Sequence, residues 1–442
     1  MQQYSSYKPS GIEWLGDIPV HWKVDKLKNY CEIFASNVDK KYDSDEIEVS
    51  LCNYVDVYKN QAITKNIEFM IAGATVSEIV KFQLQLNDIL LTKDSESPDD
   101  IAVPSIVKEV FDKFLCGYHL SIIRCLKKLE PDFLIWVLRD LSIATQFHRE
   151  AVGITRFGLA SRHFKNGVIA FAERFEQLAI ADYLNKASSN IDTVIATKQH
   201  QLEKLELYKK ATIHQAVTKG LDKTAILKPS GIEWIGDVPV KWKIERLKDI
   251  CINITSGGTP KTNIDDFWDN GTIIWLSPTD FQDFEGSDYI DNSRNKITLE
   301  GLNNCSASIL PIGTVIMQSR ASIGAAKISS KELSTNQGFI NFIPGKLLNN
   351  KYLFYLIKVF LGDYFQNIAS GTTFMEISRS KAKQEKIPLP TFTAQTEIVS
   401  YLDNFCNNIS SEKTIINQQI AALQQYRKSL IHDCVTGKRK VI

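Results

Sequence analysis

The second half of this chain contains a loop whose residue types suit an anionic ligand. Residues 256–262 read SGGTPKT and combine two glycines and small hydroxyl groups with one lysine. Backbone N–H groups and a cation in such a loop can bind phosphate oxygens or the edges of bases. Gly258, Thr259 and Lys261 are therefore candidate contacts to a nucleic acid.

Two further loops of the same half carry side chains that can read bases. Arg320, with Ser322 beside it in QSRASIGAA, can donate two parallel hydrogen bonds to guanine. Asn336 and Gln337, in STNQGF, can pair with adenine in the same bidentate manner. Each loop alone could be plain structure. Three of them in one half of the chain favour recognition of DNA.

The first half offers comparable loops with different residues. They read TKDSES, GYHLS and GITRFGLASRHF, and the last forms a basic patch around an aromatic ring. The candidate contacts in these loops are Lys93, Ser95, His119, Arg156 and Arg162. The third loop also fits a hinge into the helix that follows, because SGTTFMEISRSK, which contains the candidate Thr372, occupies the equivalent place in the second half. The two interpretations are compatible.

Catalytic motifs are absent from the sequence. It has no G-x-x-x-x-G-K-[ST] phosphate loop, no G-x-S-x-G nucleophile elbow and no glycine-rich loop suited to S-adenosylmethionine. The pairs Asp99-Asp100 and Asp265-Asp266 lack the Glu-x-Lys companion of a metal nuclease, so solvated loops are the better interpretation. His214 and His432 match between the two halves, but each falls in a predicted helix, which favours packing. We therefore expect no catalysis and no metal or cofactor bound by this chain.

An internal repeat organises the chain. KPSGIEWLGDIPVHWKVDKLKNYC (8–31) returns as KPSGIEWIGDVPVKWKIERLKDIC (228–251), with 16 of 24 positions identical. A second pair lies further on: EQLAIADYL (176–184) matches AQTEIVSYL (394–402), and IHQAVTKG (213–220) matches IHDCVTGK (431–438). The stretches 32–150 and 252–370 show no obvious similarity to each other. Constant segments that bracket two variable ones indicate two domains that recognise different targets on one shared scaffold.

Each half ends in a segment that predicts a long helix. Residues 177–217 and 395–436 contain no Pro or Gly and carry apolar residues at spacings of three, four and seven. A helix of about 40 residues is about 60 Å long, and two such helices most economically bury their apolar seams against each other as an antiparallel pair. The predicted seam residues are Leu184, Ile191, Leu202, Leu205, Leu402, Ile409, Leu423 and Leu430.

The predicted fold is mixed α/β (α+β), with two globular domains separated by an antiparallel two-helix coiled coil. The predicted boundaries are 1–150 and 227–370 for the variable domains, and 151–226 and 371–442 for the constant regions. The internal duplication predicts pseudo-twofold symmetry.

Composition is that of a soluble globular protein and excludes several classes. There is no apolar run long enough for a membrane helix, no secretory signal, and no C-x-x-C pair among the 8 cysteines, so a cytoplasmic protein with reduced thiols is expected. The formal net charge is only +1, lower than DNA-binding proteins often show. Positive charge must then be local, or partners must supply some of the phosphate contacts.

The duplicated segments resemble those of a known family. GIEW-(L/I)-G-D-(I/V)-P-V-x-W, present twice, is similar to the segment that precedes each target-recognition domain in specificity subunits of Type I restriction-modification systems, the HsdS family. SGGTPKT with IIWLSPTDF, ILPIGTVIMQSRASIGAA and STNQGF resembles one class of those domains, and IHDCVTGK resembles the end of their conserved helix. The resemblance covers essentially the whole chain.

The resemblance implies a division of labour. Each recognition domain would read one half of an asymmetric, bipartite double-stranded DNA site, and the helices would set the spacer and dock two modification (methyltransferase) subunits. S-adenosylmethionine would then bind to those subunits, whereas ATP and Mg would belong to separate restriction subunits.

Two alternatives stay open at this stage. The chain could be an orphan or decoy specificity protein without a partner enzyme, or a nuclease with unrecognised motifs. Co-purification with a methyltransferase subunit separates the first alternative, and incubation of the pure chain with DNA and magnesium separates the second.

Overall fold

A computed structural model describes residues 3–40, 45–320, 322–369 and 375–441. The fold is mixed α/β, as predicted, and divides into two compact units. Unit 1 comprises Met1–Lys198 and Asn417–Ile442, and unit 2 comprises Gln199–Ile416. Both long helices contribute residues to both units, so unit 1 is built from two separate stretches of chain.

Unit 1 contains a five-stranded sheet, a three-stranded sheet and short two-stranded ribbons. Its strands are β1 (Tyr7–Pro9), β2 (Asp17–Pro19), β3 (Lys23–Lys26), β4 (Cys31–Ala35), β5 (Ile47–Cys52), β6 (Ala62–Ile63), β7 (Met70–Ala74), β8 (Ile89–Thr92), β9 (Asp94–Ser95), β10 (Pro104–Val107), β11 (Phe114–Cys116), β12 (Leu120–Cys125), β13 (Phe157–Gly158) and β14 (Val168–Phe171). The helices that begin in it are α1 (Tyr54–Lys59), α2 (Val76–Phe82), α3 (Pro131–Arg139), α4 (Leu141–His148), α5 (Ser161–Asn166) and the long α6 (Arg174–Lys219).

Unit 2 contains the same kinds of sheet. Its strands are β15 (Leu227–Pro229), β16 (Asp237–Pro239), β17 (Lys243–Arg246), β18 (Cys251–Ser256), β19 (Ile273–Leu276), β20 (Tyr289–Ile290), β21 (Asn295–Ile297), β22 (Val315–Gln318), β23 (Ala326–Ser329), β24 (Ser334–Thr335), β25 (Phe339–Pro344) and β26 (Lys386–Leu389). Its helices are α7 (Leu247–Ile250), α8 (Asp280–Asp283), α9 (Leu299–Asn303), α10 (Asn350–Leu356), α11 (Gly362–Ile368), α12 (Arg379–Gln384) and the long α13 (Phe392–Val435).

The variable segments share one topology although their sequences differ. The five-stranded sheets have the orders β4-β12-β8-β10-β6 and β18-β25-β22-β23-β20. In both sheets only the last pair is parallel, β6 with β10 and β20 with β23. The three-stranded sheets, β11-β5-β7 and β21-β19-β24, each contain one parallel and one antiparallel pair. The duplication therefore extends through the segments where the sequence shows no repeat.

The central strand of each five-stranded sheet lies between two hydrophobic cores, one on each face of the sheet. All four residues of β8, ILLT, are buried. Ile89 and Leu91 face the core that includes α3 and α6, whereas Leu90 faces the core shared with the three-stranded sheet. In β22 the same alternation sends Val315 and Met317 to one core and Ile316 to the other. Side chains alternate along a strand, so both faces of the sheet are covered.

A glycine with positive φ follows the end of each long helix. Neither helix contains Gly or Pro, and Gly220 and Gly437 follow them with φ of +76° and +75°. Glycine adopts this left-handed conformation without the steric cost of a Cβ.

The two helices run antiparallel within each unit. In unit 1, Asp192 forms an ion pair with Arg427, and Lys198 donates to Gln419 at 2.6 Å. In unit 2, Glu206 forms an ion pair with Lys413. Of the predicted seam residues, five are buried and three are half-buried. The buried ones are Leu184, Ile191, Leu402, Ile409 and Leu430, and the half-buried ones are Leu202, Leu205 and Leu423.

Candidate nucleic-acid interface

Strand register gathers the predicted loops of unit 2 at one end of its sheets. Gln318 pairs with Phe339, and Ser256 pairs with Ile340. The loop after β18, the loop after β22 and the turn before β25 therefore meet at the same edge. These are the loops that contain Thr259, Arg320 and Gln337.

Hydrogen bonds connect two of those loops directly. The Thr259 hydroxyl donates to the Gln337 side-chain carbonyl. The side-chain carbonyl of Asn336 accepts a hydrogen bond from the Gly338 N–H at 2.8 Å, which stabilises the tight turn. Gln337, Thr259 and Lys261 are exposed and available to a ligand.

Gly258 has a different role from the predicted one. It is buried, and its N–H already donates to the Thr335 carbonyl at 3.0 Å. A Cβ at this position would lie 2.4 Å from the Ser306 hydroxyl oxygen. Glycine is therefore needed here for close packing, and its amide is not open to a phosphate.

Arg320 is the second residue after β22, the central strand of the sheet, and so lies at this edge. Its guanidinium forms an ion pair with Glu376 at 3.0 Å while the side chain stays 47% exposed. Ser322 is also exposed nearby in sequence. The arginine is thus positioned by a carboxylate and still accessible. The predicted contact Thr372 lies outside the described residues.

Unit 1 brings four of its five predicted residues to the equivalent edge. Leu120 pairs with Thr92 there, as Phe339 pairs with Gln318 in unit 2. Asp94 joins the candidates: its carboxylate contacts the His119 imidazole, the Arg156 guanidinium at 3.0 Å and the Lys93 ammonium at 3.6 Å. Ser95 is buried in the strand pair that β9 forms with β13.

The pKa of His119 is lowered in this cluster, which favours the neutral imidazole. Burial lowers its pKa below the usual 6.5, and the Arg156 and Lys40 charges lower it further, which outweighs the opposite effect of Asp94. The Arg156 guanidinium lies 3.0 Å from the imidazole Nδ1 and 3.2 Å from Nε2. A neutral ring can donate from Nδ1 to Asp94 and accept from Arg156 at Nε2, so both contacts are satisfied.

Arg162 lies apart from that cluster. It belongs to α5, where its Nε donates to the His163 Nε2 at 3.1 Å, and His163 in turn pairs with Glu150 at 3.1 Å. The structure therefore separates the two basic residues that the sequence placed in one patch.

Two aromatic rings lie beside the unit 1 cluster and were not among the predicted contact residues. Tyr54 and Tyr58, on α1, stack with ring centroids 5.5 Å apart, and the Tyr54 hydroxyl lies 3.1 Å from the Ser95 hydroxyl. Tyr58 is partly exposed. Exposed aromatic rings can contribute stacking or apolar contacts to bases. The signal was present, since YVDVY places two tyrosines four residues apart, the spacing of neighbours on a helix.

Within the described ranges, no group of three or more His, Cys, Asp or Glu side chains could hold a metal ion. Over those residues, no helix is long and apolar enough to cross a membrane. The two matched histidines pack as the sequence favoured, His214 against Phe360 and His432 against Asp140.

These features define a class: a duplicated α/β scaffold with the same polar edge built twice. Residues 239–421 match the family described as "Type I restriction modification DNA specificity domain". The chain is 36% identical over 188 residues to the type I restriction enzyme MjaIX specificity subunit of Methanocaldococcus jannaschii, an alignment that covers 42% of this chain and 43% of that protein. It therefore matches less than half the length of that relative.

Other similarities extend over nearly the whole chain. The putative type I restriction enzyme MjaX specificity subunit of Methanocaldococcus jannaschii is 22% identical over 97% of this chain and 96% of its own length. A chain from a solved structure described as the structural basis of complex assembly and conformational transition of the type I R-M system shares the fold, with a TM-score of 0.71, 16% identity, and coverage of 95% and 98%. The chain is thus similar to type I restriction-modification specificity subunits, most specifically over residues 239–421.

Proposed function

We propose that this chain is the DNA-reading subunit of a type I restriction-modification complex and carries no catalytic site itself. Each unit reads one half of an asymmetric, bipartite site in double-stranded DNA. The long helices set the spacer between the halves and dock two modification subunits. S-adenosylmethionine binds to those subunits, and ATP and Mg bind to restriction subunits. The complex acts in the cytoplasm, where DNA is accessible.

One observation carries this proposal: the same edge of the same topology holds different polar residues in the two units. The two positions after the central strand are Lys93 and Asp94 in unit 1 but Ser319 and Arg320 in unit 2. An arginine reaches each edge, Arg156 in unit 1 and Arg320 in unit 2, and each is paired with a carboxylate. A constant frame that presents different base-contacting groups is what two different half-sites require.

Sequencing of methylated adenines tests the proposal in cells that contain this chain and its modification subunits. We expect Arg320→Ala to reduce methylation about ten-fold or more and to relax sequence preference in one half-site only, because a bidentate arginine–guanine pair contributes about 1–3 kcal/mol of discrimination. Arg156→Ala is the matched variant and is expected to affect the other half-site. Unchanged specificity in both variants would place these arginines outside the interface.

A further inference from the structure

The repeat provides an internal comparison at the start of the long helices. In unit 1 the Glu176 carboxylate, 2% exposed, is the centre of a buried cluster. It accepts hydrogen bonds from the Tyr4 hydroxyl and from the Trp22 indole N–H at 3.1 Å. His21 completes the cluster with a contact of 2.8 Å. One ring, Tyr4, and one carboxylate, Glu176, thus fill the space beside Trp22.

Unit 2 keeps the donors of this cluster but lacks the ring and, at the position equivalent to Glu176, the carboxylate. Trp22 and His21 correspond to Trp242 and Lys241, while Glu176 corresponds to Ala394 and Tyr4 to Thr224. Thr224 does not reach inward. It is exposed, and its N–H and hydroxyl bond Asp222 at 2.8 and 2.6 Å.

A cavity of about 590 Å³ occupies the corresponding place in unit 2. Trp242, Lys241 and Ala394 line it, and the carboxylate residues Asp222 and Glu397 also lie on its wall. Its volume lies in the range of sites that bind small ligands and large side chains. Val240 and Leu221, 49% and 42% exposed, add apolar surface at its mouth beside the charged side chains.

The donors at this cavity have no acceptor of their own. Among the described residues, the Trp242 indole N–H has no hydrogen-bond acceptor and the Lys241 ammonium forms no ion pair within 4 Å. The Lys241 charge helps to lower the pKa of the Asp222 carboxylate, but Asp222 Oδ1 already accepts a hydrogen bond from the Thr224 hydroxyl. An occupant that supplied both a ring and a carboxylate would restore the contacts that unit 1 makes internally.

We propose that this cavity, lined by Lys241, Trp242 and Ala394, is a docking site for an aromatic side chain that lies beside a carboxylate on a partner protein. The apolar walls take the ring, as large rings anchor many interfaces. Trp242 and Lys241 bind the carboxylate. Under the proposed function, on which this part rests, the partner is the modification subunit. Unit 1 cannot offer the same site because its own Tyr4 fills it.

A small-molecule titration tests the cavity independently of any partner. The probe is 4-hydroxyphenylacetate, which joins a phenol ring to a carboxylate, and p-cresol is the same ring without the charge. The full-length chain is labelled with 5-fluorotryptophan, and its Trp242 resonance is assigned by loss in Trp242→Phe. We expect a saturable shift of that resonance, with 4-hydroxyphenylacetate binding about 2- to 5-fold tighter than p-cresol, the gain of a partly exposed ion pair.

Variants at the cavity sharpen the result. Lys241→Ala changes an exposed residue and should make the affinities of the two probes equal, because the charged partner of the carboxylate is removed. Ala394→Glu and Thr224→Tyr refill the cavity from within and should abolish binding of both. Failure of the Trp242 resonance to shift in the wild type, or a shift that persists in both refilled variants, overturns the proposal.

The partner is tested by sedimentation with the purified modification subunit. We expect the subunit to displace the probe, and Lys241→Glu and Ala394→Glu to weaken its binding about ten-fold or more. Unchanged affinity in both variants overturns the assignment of the occupant. If the wild-type chain binds no modification subunit, the proposed function fails, whereas the probe titration still decides whether the cavity is a site.

Discussion

Each candidate arginine is held by a carboxylate close to it in space and distant in sequence. Arg156 pairs with Asp94, and Arg320 pairs with Glu376. Such pairs at a partly exposed surface contribute little to stability. They do restrict the rotamers of the guanidinium, which under the proposed function lowers the entropy lost when the arginine binds a base. In that proposal the carboxylates position the arginines.

The ionisation of His119 is a sensitive probe of its cluster. Its pKa is held below 6.5, chiefly by burial, with Asp94 raising the value and Arg156 lowering it. We expect Asp94→Asn to lower the pKa further and Arg156→Ala to raise it, as measured by NMR titration of the imidazole. Because the folded-state pKa is depressed, the contribution of His119 to stability is present above pH 6.5 and is lost as the pH falls. A His119 pKa above 6.5 in the wild type would contradict this assignment.

The sequence predicted individual residues of the edge but not how they combine. Lys93, His119 and Arg156 were each selected for residue type, and the structure shows that all three contact Asp94. That meeting depends on strand register, which side-chain type alone cannot specify. Arg162, only six positions beyond Arg156, lies in a different hydrogen-bonded group because a helix begins at Ser161.

At the scale of elements, one glutamine fastens the start of each long helix to its recognition domain. Gln395 is fully buried; its carbonyl accepts the Asn349 N–H at 2.7 Å, and its amide donates to the Leu347 and Pro390 carbonyls. Gln177 makes the equivalent three bonds in unit 1. The sequence contains a signal for this role, since the glutamine is identical in two segments that otherwise match only in part.

We expect Gln395→Leu to destabilise unit 2, because the buried Pro390 carbonyl and two partly buried backbone groups would lose their partner. The cost of one unsatisfied buried group gives an estimate of about 1–3 kcal/mol. Hydrogen exchange of unit 2 amides measures the loss, and Gln177→Leu is the matched variant that should affect unit 1 instead. Equal protection of unit 2 in wild type and variant would show that these bonds are dispensable.

A second contact connects the end of α13 to the rest of unit 1: His432 forms a hydrogen bond with the Asp140 carboxylate. Burial raises the pKa of Asp140, but hydrogen bonds from His432 and Ser142 lower it more, so the pKa lies below its usual value of 3.8. The Asp140 carboxylate also accepts the Ile143 N–H at the start of α4. The end of one element and the start of another thus share a single charged group.

This pair predicts a pH dependence of stability at acid pH. With a depressed folded-state pKa, Asp140 stabilises unit 1 above the unfolded-state pKa of about 3.9, and this contribution is lost as the pH falls through the folded-state value. Urea titrations between neutral pH and pH 3 should show a smaller decline for Asp140→Asn than for the wild type. Parallel declines in the two proteins would exclude Asp140 as the source.

At the scale of the whole molecule, the two units differ in how the chain builds them. The core of unit 2 is drawn from a continuous stretch, residues 213–402. The core of unit 1 includes Leu430, Ile431, Cys434 and Val435 from the end of the chain. The repeat indicated two domains, but local sequence patterns could not show that the last 26 residues, 417–442, complete the first domain. That completion depends on contacts between residues almost 300 positions apart.

Truncation should therefore affect the units unequally. Burial of an apolar side chain contributes about 1.5–3 kcal/mol, so losing four such residues removes several kcal/mol, comparable with the total stability of a domain. We expect residues 1–198 alone to unfold or aggregate and residues 199–416 alone to retain a cooperative thermal transition. Circular dichroism melting of the two fragments provides the comparison. A cooperative transition in 1–198 and none in 199–416 would reverse the argument.

The ribbons β3–β14 and β17–β26 set the points where each recognition segment leaves and rejoins the constant frame. Lys26 pairs with Val168, and Arg246 pairs with Lys386. The two ends of each intervening segment are therefore hydrogen-bonded neighbours, about 5 Å apart. Under the proposed function, exchange of the gene segment between two such points for that of a relative would keep the hydrogen-bonded ribbon of the frame. Such recombination is expected to change the target specificity of one unit in one step, with the remaining subunits unchanged.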